Sequence, residues 1–159
     1  MFEERHGFFV SALRDLANLP PGRHRTARLE ELTRGLGGHL RSVEHGTNAA
    51  LRRVAPQVQV DEVMHGYAAV SAALARLLAD PAKGLLFADR LSGLRAAIEQ
   101  MKIHEAFVVR KLSRHLGDTA LLMVELQMEE RFDEYVGVVG IDGVMSGAVV
   151  LAESRQHAA

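Results

Sequence analysis

The sequence contains no cysteine, and that absence removes disulfides, thiolate metal sites, iron–sulfur clusters and covalent c-type haem attachment. It also favours a reducing compartment to a small degree, since many exported proteins manage without disulfides. The opening Met1-Phe-Glu-Glu-Arg-His6 sets acids where a secretory signal peptide carries its basic flank, so a cytoplasmic protein is expected. There is no glycine-rich phosphate loop, no nucleophile elbow and no cysteine nucleophile, which leaves a hydrolase or transferase without support and makes an enzyme the less favoured reading. No repeat of fixed period and no low-complexity segment occurs. No charge excess is present either: net charge is −1, with 17 Lys and Arg against 13 acids in residues 1–118 and 2 against 7 in residues 119–159. The basic residues are interspersed with acids, so no nucleic-acid partner is expected. The Val-rich tail is too short to span a bilayer and contains Asp142, so no membrane partner is expected.

What the chain does have is helical periodicity. At 159 residues and 48% hydrophobic it suits one core that needs no covalent staples. Phe2, His6, Phe9, Val10, Leu13 and Leu16 form one stripe, and Asn18-Leu-Pro-Pro-Gly22 ends that helix. A second helix is predicted from about residue 26 to residue 54, with Leu29, Leu32, Leu36, His39, Val43 and Ala50 in one apolar row. Residues 57–60 read as a loop and Asp61 as the N-cap of a third helix reaching about residue 78, stopped by Asp80-Pro81-Ala-Lys-Gly84. A fourth helix, about 85 to 115, carries Phe87, Leu91, Leu94, Ile98, Met101, His104, Val108 and Leu112. A fifth, acidic and amphipathic, follows from 119 to about 135, before Gly137, Gly140, Gly143 and Gly147 interrupt the tail. Short connections favour antiparallel neighbours, so the expected fold is all-α, an up-down-up-down four-helix bundle over residues 1–116. Residues 117–159 add a C-terminal helix and a Gly/Val-rich tail, for which a lid, a cap and a homodimer contact are the options.

The chemistry-bearing residues are histidines, and His6, His39, His65 and His104 fall one to each of the four helices. Counting at roughly 1.5 Å per residue puts His6 and His39 level, with His65 the poorest fit in height and azimuth. A buried imidazole left unpaired costs on the order of 1–3 kcal/mol, so His39 must meet a partner or a metal. Neutral imidazole ligates iron, zinc, copper and nickel, and bundle cores build such sites from facing helices. Glu3 and His6, like Glu62 and His65, stand at i, i+3 on one helix face, which makes Glu62 a candidate ligand beside the four histidines. Asp61, one turn before His65, and Tyr67 are further nearby oxygens. Glu105 lies about 100° around the fourth helix from His104, and Glu44 about 140° around the second from His39, so both are expected to face solvent or a neighbouring helix. His24 and His157 are expected in solvent, while His45 and His115 are ambiguous.

Taken together, Glu4-Arg5-His6, the His39-Leu-Arg-Ser-Val-Glu44 segment, Met64-His65 opening a helix and His104 deep in the fourth resemble the hemerythrin-like, HHE cation-binding bundles over about residues 1–116. The resemblance implies a non-haem iron site used to bind or sense oxygen or a redox ligand. It also implies a bridging carboxylate one turn after the second- and fourth-helix histidines. Val43 and Val108 stand at those two positions here. Iron is therefore the expected metal in an altered, histidine-dominated site formed by His6, His39, His65, His104 and Glu62. Zinc or a single metal is allowed by the chemistry. A b-type haem held by two histidines and a metal-free interaction bundle are the alternatives.

Overall fold

The computed structural model describes residues 2–79 and 86–138. Among these the chain is all-helical: α1 Glu3–Asn18, α2 Arg23–Val54, α3 Gln57–Leu78, α4 Leu86–His115 and α5 Asp118–Val138. The expected stop at residues 80–84, the glycines at 140, 143 and 147, and His157 lie outside the described residues. None of the described helices is long and apolar enough to cross a membrane.

Each long helix buries a seam in which steps of three and four residues alternate, the signature of helices packed side by side at a small angle. In α2 the fully or nearly fully buried positions include Leu29, Leu32, Leu36, His39, Val43 and Ala50; in α3 they run Val60, Val63, Tyr67, Val70, Leu74 and Leu77. In α4 the seam is Phe87, Leu91, Leu94, Ile98, Met101, Glu105, Val108 and Leu112. Phe2, Phe9, Leu13 and Leu16 supply the matching face at the N-terminus. A buried leucine or phenylalanine contributes about 1.5–3 kcal/mol by leaving water, so these seams align the helices and thereby set where every polar seam residue meets its neighbours. α1 packs on α2 and α4, α3 on α2 and α4, and α2 also on α4.

The third helix begins a full turn earlier than the sequence suggests. Residues 57–60 are helical, and Pro56, with ψ 146°, is the cap. Its carbonyl accepts from the Gln59 and Val60 amides at 3.0 and 3.2 Å. A proline just outside a helix is pre-set for entry because it has no N–H to leave unpaired. Val60, read as extended from its alternation with Val58, is the first buried residue of the α3 seam, fully enclosed while Val58 is 64% exposed. Asp61 is thus inside the helix, its Oδ1 accepting from the Gln57 side-chain Nε2 at 2.7 Å, and is not its cap.

The fifth helix lies along α2. Val124 and Met128 are its buried residues, and the contact is close because α2 presents glycine there. A Cβ built on Gly46 would stand 2.4 Å from Met128 Cγ and 3.5 Å from its Cα, while Gly37 and Gly38 face Tyr135, Phe132 and Val136. Arg5 fastens the arrangement from α1: its guanidinium donates to Ser42 Oγ at 3.0 Å and Glu129 at 2.7 Å, and lies 4.0 Å over the Phe132 ring.

Two glycine substitutions are expected to move stability in opposite directions. Gly46→Val must displace Met128 and loses about 1–3 kcal/mol to overpacking. Gly93→Ala, in exposed α4 with nothing within 4 Å of the new methyl, gains about 0.5–1 kcal/mol of helix preference. Urea-unfolding midpoints of the two variants check both signs.

Candidate metal centre

Glu105 is the centre of the site. It occupies an a/d-type position of the α4 seam with 0% of its surface exposed. An ionised carboxylate so placed costs several kcal/mol unless charge and hydrogen bonds compensate. Two imidazoles supply that compensation. His39 Nε2, from the α2 seam, meets Oε1 at 2.6 Å, and His6 Nε2, from α1, meets Oε2. His39 is fully enclosed, and the His6 side chain is 14% exposed.

Burial by itself would raise the Glu105 pKa. The charge and hydrogen bond of His39, joined by those of His6, outweigh burial and hold the carboxyl below the ordinary carboxylate value. Because a carboxylate has no proton to give, both Nε2 atoms act as donors in this arrangement. Phe2 and Phe9 complete the surroundings, their ring centroids 5.7 and 5.4 Å from that of His39 in edge-on contact. The turn carrying His39 is tied down through Ser42, which donates to the His39 carbonyl at 2.8 Å and accepts from Arg5.

A fourth polar group reaches this point from α3. Tyr67 is 4% exposed. Burial, together with the neighbouring Glu105 charge, pushes its phenol well above the ordinary value. Its hydroxyl, beside the Glu105 carboxylate, is buried and makes no hydrogen bond of ordinary geometry; His39 Nδ1 is likewise buried and unpaired.

No protein-family model matches this chain, and no curated protein or solved structure matches it. Geometry alone speaks for the site. Among the described residues, the group able to hold a metal ion is His6, His39 and Glu105, whose ligand atoms all lie within 4.8 Å of one another. Two imidazole nitrogens and a carboxylate oxygen form a donor set that suits iron(II) or zinc and leaves coordination positions open. The crowding of these atoms around a shared point, with an unpaired hydroxyl beside them, fits a cation there.

Of the five ligands expected from sequence, His6 and His39 come together, and His65, His104 and Glu62 do not join them. His65 is exposed, with Nδ1 2.8 Å from the Asp61 carbonyl of its own helix. Glu62 and Asp61 are exposed on the same outer face. His104 is partly buried, but it packs on α3, where only Gly66 leaves room: a Cβ there would lie 2.1 Å from His104 Nδ1. Its Nε2 is 3.4 Å from the Gln100 amide nitrogen. Val43 and Val108 are fully enclosed seam residues. Glu44 and His45 are exposed, as are His24 and His115. Glu105, expected to face solvent or a neighbouring helix, faces the three other helices of the core.

The metal-free site is expected to be acid-sensitive. A carboxyl whose pKa is depressed by folding adds stability that is complete above its unfolded value and is lost as pH falls through the lower folded one. Chelator-treated protein therefore loses stability below the ordinary carboxylate range. Glu105→Gln starts about 1–3 kcal/mol lower at neutral pH and shows a shallower acid limb, as read by urea unfolding between neutrality and acid.

Proposed function

We propose that this protein is a metal-binding helical bundle in which His6, His39 and Glu105 hold a single non-haem iron for binding or sensing oxygen or another small redox ligand. The observation that carries the reading is the convergence of two imidazole nitrogens and a buried carboxylate, delivered by three different helices, on one point. Iron(II) in a two-histidine, one-carboxylate environment has open positions for an exogenous ligand. The protein supplies the orientation of the donors and, through Phe2 and Phe9, an apolar wall around His39 that keeps water from it. The contacts among α1 to α4 and their short connections support the up-down-up-down arrangement, and with the histidines they support a hemerythrin-like protein. With Val43 and Val108 at the bridging positions, one metal is favoured over two.

Haem is the less favoured cofactor, because the Glu105 carboxylate stands between the two imidazoles where a porphyrin would have to pass. Zinc suits the same donors and would keep the site while removing its redox use. One observation favours a metal-free reading: each carboxylate oxygen already has an imidazole partner, so the triad can serve as a structural polar network.

Chelator-stripped protein titrated with Fe²⁺ under nitrogen separates these readings. About one ion per chain is expected, with unfolding free energy raised by about 2.7 kcal/mol when free metal stands at about 100 times its dissociation constant. His39→Ala and Glu105→Ala abolish the gain; His65→Ala and Glu62→Ala keep it. No bound ion and no metal-dependent gain in the unmodified protein contradicts the proposal and leaves the polar network.

A further inference from the structure

The three donors come from α1, α2 and α4, and α3 contributes Tyr67, buried beside Glu105. We propose that Tyr67 is a fourth metal ligand, its phenolic oxygen completing a two-nitrogen, two-oxygen set with one donor from each of the four core helices. This deepens the iron reading and rests on it.

The placement argues for ligation over a packing role. A tyrosine that serves only to fill a core brings its hydroxyl to water or to a firm hydrogen-bond partner. Tyr67 Oη is buried and makes no hydrogen bond of ordinary geometry, although Glu105 is beside it. It is a seam residue one turn from the buried Val63 and Val70, so neighbouring core side chains hold the ring and the oxygen cannot swing to solvent. The adjacent Gly66 lets α4 approach closely, bringing α3 and Glu105 together. On ligation the phenolic O–H bond breaks, an oxygen–metal bond forms and the proton leaves to solvent, with no electron transferred. Two oxygen anions favour the ferric over the ferrous ion, so the proposed site would retain iron on oxidation.

The test uses the full chain loaded with Fe³⁺ supplied as its citrate complex. Phenolate bound to ferric iron gives a visible charge-transfer band with resonance-enhanced phenolate vibrations. The chain has two tyrosines, and the other, Tyr135 of α5, packs against Gly37 of α2. The expected result is a coloured protein whose band survives in Tyr135→Phe and vanishes, per bound iron, in Tyr67→Phe, with ferric affinity down roughly tenfold or more. Should Tyr67→Phe not fold, the Tyr135→Phe variant alone assigns the band. Stoichiometric ferric binding without a phenolate band overturns the Tyr67 assignment and leaves the three-donor site standing. A chain that binds no iron overturns both.

Discussion

A carboxylate buried at the middle of a helical core is the constraint on which the rest of the structure depends. Replaced by leucine, Glu105 would continue the α4 seam without interruption; as glutamate it obliges two other helices to present imidazoles at its level. Breaking such a buried pair by removing one partner costs about 3–5 kcal/mol, so the positions of α1, α2 and α4 are coupled through a few side-chain atoms. A structure built on leucine seams alone would tolerate small sliding of one helix past another. The His6–Glu105–His39 contact does not, because a shift of one turn would leave a charge without a partner.

The same contact explains the role of parts distant from it. Arg5 is the neighbour of His6 on α1, and its bonds to Ser42 and Glu129 and its place over Phe132 tie the start of α1 to α2 and α5. Ser42 in turn bonds the His39 carbonyl. Packing of α5 on α2 thus steadies the backbone that carries both imidazoles. The glycines of α2 that admit α5 and the glycine of α3 that admits His104 serve one end: they let large side chains of a neighbour sit close, so that core helices approach within reach of one small site.

Much of the fold is legible in the sequence. The apolar rows in residues 2–18, 29–50 and 87–112 are long and regular, and prolines or glycines mark several helix ends. The start of α3 is less so, since Val58 and Val60 alternate like a strand and only the seam continuing to Val63 and Tyr67 shows Val60 to be helical. Half of the site can be read directly: His6 is in register with Phe2 and Phe9, and His39 with Leu36 and Val43. The other half is obscured by the attraction of a histidine one position away. In α4 the steps from Leu94 run 98, 101, 105, 108, 112, so strict alternation of four and three selects Glu105 and leaves His104 beside the seam. In α3 the same count selects Tyr67 over His65. Composition draws the eye to imidazoles as ligands, whereas the seam assigns the inward places to a carboxylate and a phenol. Nothing in the pattern of residues 62–65 distinguishes an outer-face Glu/His pair at i, i+3 from an inner one except that neither falls on a seam position.

The central claim is that α1, α2 and α4 deliver His6, His39 and Glu105 to one cation. Anomalous diffraction at the iron absorption edge, from crystals of the iron-loaded full chain, tests it most directly. The account requires a single strong anomalous peak per chain, within coordination distance of His6 Nε2, His39 Nε2 and a Glu105 oxygen. A peak at His65 or His104 instead, or density showing the carboxylate still bridged by the two imidazoles with no scatterer among them, would contradict it.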